Sequence, residues 1–364
     1  MDISTFRKSE QLSLELSKLY EQYGYHKFYM NKLEEYAFYM DNINFLPSRE
    51  IIVFSDLNGK LMALKPDITL SIVKNAKADL TSLDKLYYTE NVFRANKSAR
   101  EYRELRQMGL ECIGSVTPYT IAETLTLAAK SLAVIDKNYT LCISHLGVVS
   151  GLLQTLTADY TVKQQLLRCV REKNPHDMGP IAKAAHINEE ALSSLQALTA
   201  LSGSFQEALG QVRALCVNDE MRAAVQELET YAKAMPQGSR IHLDFSIVSD
   251  TSYYNGVMMQ GYVKGASNAV LAGGQYDNLL ARMGKEQQRA IGFAIYFNEL
   301  ERYERLYAPP YDLLVLYNSA TDPAIVSAAV ENSSAAGQRV LADTRPPENA
   351  TWNNMLDLRR QKEC

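Results

Sequence analysis

Cysteine is scarce and scattered in this chain. Its five residues, Cys112, Cys142, Cys169, Cys216 and Cys364, form no C-x-x-C pair. That spacing argues against a disulfide framework and against a thiolate metal site, and it fits a reduced cytoplasm. Five histidines in 364 residues show no H-x-x-x-H spacing and sit beside no nucleophile motif, so metal and cofactor are both expected to be absent. Long apolar runs are missing too: nothing approaches the about 20 residues that span a bilayer, and the N-terminus "MDISTFRKSEQLSLELSKLY" is charged and amphipathic rather than signal-like. No membrane role is expected. Nor is there an excess of positive charge, since 38 Lys and Arg stand against 42 Asp and Glu, a net charge of -4. A broad polyanion-binding surface is thereby disfavoured. Internal repeats and low-complexity segments are lacking as well.

What remains is ample material for a core. The chain is 46% hydrophobic and long enough for two or three domains. Helical spacing over residues 5–24 ends at Gly24. Strand-like aromatics and a short helix follow in "YHKFYMNKLEEYAFYM". Asn58-Gly59 between two apolar runs predicts a hairpin, and a helix is expected after Pro66. The β-rich runs "KLYYTENVFRA" and "RELRQMGLECIGS" flank a polar turn and predict a second, longer hairpin. "ISHLGVVSGLL" reads as strand then helix, and residues 157–236 carry the Ala, Leu, Gln and Glu texture of a helical insertion. Strand texture returns in "RIHLDFSIVSD", "VMMQGYVKG" and "AVLAGGQYDNLL", and "AIGFAIYFNELERYERLY" is expected to be a helix. Beyond Pro310, a strand-helix-strand piece is predicted with little after it.

Chemistry concentrates in "NVFRANKSAREYRELRQMGLECIG". Arg94, Lys97, Arg100, Arg103 and Arg106 crowd one hairpin, whose alternation points Gln107, Gly109 and Glu111 to one face. Such a set suits an anionic group held together with an amine. A solvated charged loop explains the same residues, and the pattern alone leaves both open. In "LAGGQYDNLL" two glycines precede Tyr276 and an acid; packing and ligand approach are again both open. Asp67 and Thr69 fit a helix start.

The order of these segments resembles the catalytic core of histidyl-tRNA synthetase over most of residues 5–306. "LKPDITLSIVK" is similar to that family's R-P-E-x-T segment, "VFRANKSAREYRELRQMGLECIG" to class II motif 2, "SYYNGVMMQGY" to its Y-Y-T-G strand, and "AGGQYDNLL" with "AIGFAIYFNEL" to the glycine-rich strand and motif 3. The resemblance implies an α+β, class II aminoacyl-tRNA synthetase-like fold: an antiparallel sheet flanked by helices, a core over 1–306, and a C-terminal piece over 307–364. It also implies a histidine-like pocket made by Asp67, Thr69, Arg94, Gln107, Glu111, Tyr253, Tyr254 and Tyr276.

The departures are as informative. Ser249 stands where the family has an arginine that helps activate the carboxylate, Glu299 where a second arginine clamps ATP, and Tyr296 where a glycine leaves room for the nucleotide. Ala95-Asn96 replaces an expected acid. Loss of positive stabilisers at a phosphoryl-transfer site, with a carboxylate facing the phosphates, implies lost ligase chemistry. A synthetase-like core with degenerate ATP residues and little or no anticodon-binding domain resembles the regulatory-subunit family of ATP phosphoribosyltransferase. That resemblance implies a non-catalytic protein, a short-form catalytic subunit as partner, no tRNA, and histidine as a candidate ligand. A homodimer is expected through "LYEQYGYHKFYMNKLEE", dense in Tyr20, Tyr23, Tyr25, Phe28 and Tyr29. The alternative is a divergent ligase that activates an amino acid with ATP.

Overall fold

The computed structural model describes residues 8–46, 48, 50–96, 101–201, 203–235, 240–248, 253–304, 311–347 and 350–359. Lys97, Arg100, Ser249 and Cys364 lie outside them. In chain order the elements are α1 (Lys8–Gln22), β1 (His26–Lys27), β2 (Leu33–Glu35), α2 (Tyr36–Asp41), β3 (Val53–Ser55), β4 (Leu61–Leu64), α3 (Thr69–Asn75), β5 (Leu83–Asn96), β6 (Glu101–Gly114), α4 (Pro118–Ile135), β7 (Tyr139–His145) and α5 (Leu146–Leu156). Helices α6 (Tyr160–Arg171), α7 (Pro175–Ala184), α8 (Glu189–Ala200), α9 (Phe205–Ala214) and α10 (Asp219–Ala234) follow. Then come β8 (Ile241–Leu243), β9 (Val257–Val263), β10 (Leu271–Gln275), α11 (Asp277–Arg282), β11 (Arg289–Tyr296) and α12 (Phe297–Glu304).

Local chemistry explains many of the element starts. Asp159, Asn174, Asn188, Ser204 and Asn218 each accept a backbone N–H with the side chain at the head of α6 to α10, satisfying donors that the helix itself leaves free. In α4, Pro118 occupies the first turn and Thr117 forms a reciprocal cap with Thr120. Gly59 turns the β3–β4 hairpin at φ +79°, while Asp56 Oδ1 accepts the amides of Asn58 and Lys60.

Among the described residues, the main sheet has eight strands in the order β1-β5-β6-β11-β10-β9-β7-β8. The run from β5 to β7 is antiparallel throughout; β1 and β8 add parallel at the two edges. One body of core packs α4, α5 and α10 onto this sheet, through Ile121, Leu125, Leu132, Val149, Leu152 and Leu228. Gly261 shows how closely: an added Cβ would lie 2.6 Å from Leu132 Cδ1. A second, smaller cluster joins Tyr39, Phe45, Ile68, Leu70, Tyr88, Tyr276 and Leu279.

The segment "AIGFAIY" is not helical. It is strand β11, paired between β6 and β10, and the helix begins only at Phe297. Its apolar residues repeat closely enough to satisfy a helical period, and burial on both faces of a central strand removes the alternation that would have marked it. Among its described residues, "RIHLDFSIVSD" is strand only over Ile241–Leu243, after which Asp244 Oδ1 accepts the amide and hydroxyl of Ser246 and turns the chain.

Residues 12–300 form one compact unit, and residues 301–364 with 1–11 form the other. The latter carries β12 (Tyr311–Leu316), α13 (Pro323–Ala335), β13 (Val340–Asp343) and β14 (Trp352–Asp357), a parallel sheet ordered β13-β12-β14. The strand-helix-strand expectation therefore stops one strand short. The asparagine pair of "TWNNMLD" has low strand propensity and hides β14.

Candidate functional site

Strand register places the chemistry. In β6, Gln107, Gly109 and Glu111 stand opposite Tyr296, Ala294 and Gly292 of β11, and Gly109 also stands opposite Tyr88 of β5. Directly paired residues share a sheet face, so these side chains form one surface. Small residues keep it open. At Gly292 an added Cβ would fall 1.7 Å from Glu111 Oε2, and at Gly109 one would fall 2.6 Å from the Tyr88 hydroxyl. Above this surface lies a cavity of about 410 Å³, closed by Asn44–Leu46, Asp67–Thr69 and Tyr253–Tyr254.

All eight pocket residues named from the sequence line this cavity: Asp67, Thr69, Arg94, Gln107, Glu111, Tyr253, Tyr254 and Tyr276. Tyr296, the bulky residue at a family glycine position, lines it too. Of the loop cations, Arg103 pairs with Glu101, and Arg106 donates to Ser13 Oγ at 3.1 Å and lies over the Phe297 ring. Neither reaches the cavity lining. Glu299 does not reach it either. Its carboxylate accepts from Asn268 at 2.9 Å and Asn298 at 2.8 Å, so the expected carboxylate facing a nucleotide is absent from the lining among the described residues. Tyr88, Phe45 and Gly292 are site residues that the sequence reading missed. A glycine facing an aromatic across a hairpin was a usable signal for Tyr88; the turn at Ile43–Phe45 offered none.

Glu111 is the buried floor. Tyr276 donates its hydroxyl to Oε2 at 2.6 Å and Thr69 donates to Oε1 at 3.1 Å. Burial nevertheless pushes this carboxyl up to about 8, against the pull of those two donors and with help from nearby Asp67. Asp67 is anchored where α3 begins, Oδ1 accepting the Leu70 amide at 3.0 Å, so the helix-start and cavity roles coincide. Burial raises its carboxyl as well, and the Arg94 guanidinium opposes this from Nη2, 3.7 Å from Oδ2. Arg94 Nε donates to the Pro66 carbonyl at 2.9 Å. Desolvation holds Tyr253 and Tyr276 well above the ordinary phenol range, so both hydroxyls remain donors. Tyr253 packs against Tyr254, Tyr276 and Phe45 with ring centroids 4.6, 6.0 and 6.0 Å apart. Gln107 is 3% exposed, and its Nε2 finds no hydrogen-bond partner among the described residues. A buried donor without a partner costs free energy that a ligand acceptor would recover.

An antiparallel sheet of this order, bearing a polar cavity on the strands of motifs 2 and 3, is the class II aminoacyl-tRNA synthetase core. The chain belongs to the histidyl-tRNA synthetase family, whose model matches residues 2–300. It is 27% identical over 299 residues to the histidine–tRNA ligase of Methanocaldococcus jannaschii, covering 81% of this chain and 71% of that one. It is 26% identical over 296 residues to the ATP phosphoribosyltransferase regulatory subunit of Clostridium botulinum, covering 79% and 70%. Among solved structures, an ATP phosphoribosyltransferase regulatory subunit/histidyl-tRNA synthetase from Bacillus halodurans superposes with a TM-score of 0.71 at 21% identity, over 97% of this chain and 94% of the other. A chain of the ATP phosphoribosyl transferase (HisG:HisZ) complex from Thermotoga maritima gives 0.62 at 18%, over 81% and 98%. Such likenesses show the fold.

Proposed function

We propose that this chain is a non-catalytic regulatory subunit that joins a short-form ATP phosphoribosyltransferase in the first step of histidine biosynthesis, and that its own ligase activity is lost. The observation that carries this is the uneven survival of the cavity. The residues suited to an imidazole and an amine are assembled, while Tyr296 occupies the side where the family keeps a glycine for the nucleotide. Ser249 in the sequence removes an arginine that the family uses on the carboxylate. Regulatory subunits among the relatives support the same reading.

In this proposal histidine is the ligand, its imidazole at Glu111, Tyr253 and Tyr276, its ammonium group at Asp67 and the amide oxygen of Gln107. Occupancy biases the complex between two arrangements and so transmits feedback, which requires histidine to favour one of them. The piece over 307–364, which lies within the smaller compact unit, has no role in reading tRNA in this proposal. The assembly includes a homodimer. Its support is the exposed apolar set Leu33, Val53, Phe54 and Leu61 on the β2-β4-β3 sheet with Leu57 in its hairpin turn, because Tyr20 and Tyr25 are buried in the core and only Tyr29 of the five aromatics is largely exposed. A monomeric mass by light scattering would refute the dimer.

The decisive experiment mixes this chain with a short-form catalytic subunit and follows phosphoribosyl-ATP formation with and without histidine. Activity only in the mixture is expected; full activity of the catalytic subunit alone refutes the proposal. A second reading, a working ligase, is favoured by Arg94 in the cavity and by the ligase among the relatives. Histidine-dependent pyrophosphate exchange above a no-enzyme blank would establish it.

A further inference from the structure

Three tyrosines of the cavity, Tyr253, Tyr254 and Tyr276, adjoin two residues that do not line it: Asn255 follows the first two and Asp277 follows the third. Those two residues are locked together. The Asp277 amide donates to Asn255 Oδ1 at 2.8 Å, and Asn255 Nδ2 donates back to Asp277 Oδ2 at 3.0 Å. A third bond, from the Asn255 amide to the Gln275 carbonyl at 3.1 Å, completes a joint that brackets Tyr276 on both sides.

Asp277 carries this joint into the sheet. Its Oδ1 accepts the Ala290 amide at 2.8 Å, while Oδ2 also accepts Gln275 Nε2 at 2.7 Å and Arg289 Nε at 3.4 Å. The Tyr276 amide donates to the Ala290 carbonyl at 2.9 Å, so the corner is tied to β11 two residues before Gly292. Beyond Asn255 the chain has no slack: at Gly256 an added Cβ would lie 2.4 Å from Gln275 Oε1. The effect on the cavity is geometric. Tyr276 donates to Glu111 at 2.6 Å, the Tyr253 and Tyr276 rings stand 6.0 Å apart, and both side chains leave the backbone within two residues of the joint.

We infer that Asn255 and Asp277 are positioning residues of the cavity: without touching a ligand, they set the spacing of Tyr253 and Tyr276 into which an imidazole amine fits. This inference rests on the reading of the cavity as a site for such a ligand. Asn255 is exposed and Asp277 half-buried, so the joint is broken without opening either body of core. Its contribution is preorganisation, which raises affinity by sparing the ligand the cost of ordering the site.

Calorimetric titration of the full chain with L-histidine, beside thermal unfolding, tests it. Asn255→Asp keeps the acceptor for the Asp277 amide but sets a second carboxylate against Asp277 Oδ2, and the like charges open the joint. Apparent affinity scales with the closed fraction, so a joint closed in about one chain in ten weakens histidine binding about tenfold. The unfolding midpoint should hardly move, as for most exposed substitutions. Asn255→Ala, which removes both side-chain bonds and adds no charge, should weaken binding less. Combining Asn255→Asp with Asp277→Asn should restore most of the affinity: the new amide at 277 donates to the new carboxylate at 255, its oxygen still accepts the Ala290 amide, and Gln275, whose Oε1 has no partner among the described residues, turns to accept the remaining N–H. Unchanged affinity in both single variants would overturn the inference, as would a double variant with the unmodified midpoint that binds as weakly as Asn255→Asp. Affinity and midpoint falling together in both single variants would assign the joint to the fold alone and overturn it as well. No heat from the unmodified chain would instead overturn the imidazole-amine reading itself, and the inference with it.

Discussion

Replacing Glu111 by glutamine isolates what it costs to ionise the cavity floor. Glu111 is 3% exposed, and burial moves its carboxyl from 4.5 to about 8. Between those two values the native state holds a proton that the unfolded chain has released. The Glu111 contribution to stability is therefore fully present below 4.5 and is lost as the pH rises toward about 8. The slope approaches about 1.4 kcal/mol per pH unit where the difference is one whole proton, which over this window gives a ceiling of about 5 kcal/mol. Glutamine carries no titrating proton, so its contribution is flat. Its amide oxygen still accepts one of the two hydroxyls that now converge on Glu111, and its NH₂ donates to the other after that hydroxyl turns. This rearrangement costs about 1 kcal/mol. The two stability profiles should thus cross: the variant slightly weaker in mild acid, and stronger in mild alkali by about 2 to 4 kcal/mol. Urea unfolding of the ligand-free chain, followed on the transition of the larger unit across that range, measures it. Parallel profiles would refute the reasoning, because they would mean that Glu111 titrates alike in the folded and unfolded chain.

Gly292→Ala should both destabilise the chain and abolish cavity binding, since the new Cβ would lie 1.7 Å from Glu111 Oε2 and 2.5 Å from the Leu110 carbonyl, and neither the floor nor the central strand has room to yield. Thermal unfolding and calorimetry check the two effects separately, and retained ligand affinity would show that Glu111 is not part of the site. Lys65→Met should cost about 3 to 5 kcal/mol by leaving Glu90 without its charge partner; the pair is 2.9 Å apart, with the lysine wholly buried. The double change Lys65→Met with Glu90→Leu should recover most of that loss, and a double variant as unstable as the single one would contradict the attribution to an unpaired charge.

How much of this was legible in the sequence depended on whether a signal was local. Asn58-Gly59, Pro66, Pro118 and the Asn, Asp and Ser caps act within one turn of chain, and those turns and helices sit where their residues suggest. Strand β11 was illegible because its identity depends on neighbours far away in sequence. "AIGFAIY" is apolar on both faces only because β6 and β10 flank it, and no residue inside the segment says so.

The cavity shows the same division in a sharper form. Its eight named residues were found through the order of four motifs, which fixes identity without fixing distance. Distance then decides the chemistry. Glu299 and Tyr296 were both marked as departures at the nucleotide side, yet only Tyr296 faces the cavity; three residues further on, the chain has left the sheet and Glu299 is held by Asn268 and Asn298. Arg94 and Asp67, 27 positions apart, looked like two separate ligand contacts, one for an anion and one for an amine. Anchored by Pro66 and Leu70, with Nη2 3.7 Å from Oδ2, they are instead each other's counter-charge, and the cation faces any ligand with an acid beside it. Such pairing is a property of side-chain reach at a particular crossing of β5 over the β4–α3 turn. A motif match records the residue types at that crossing; how closely their charges approach is set by the folded chain alone.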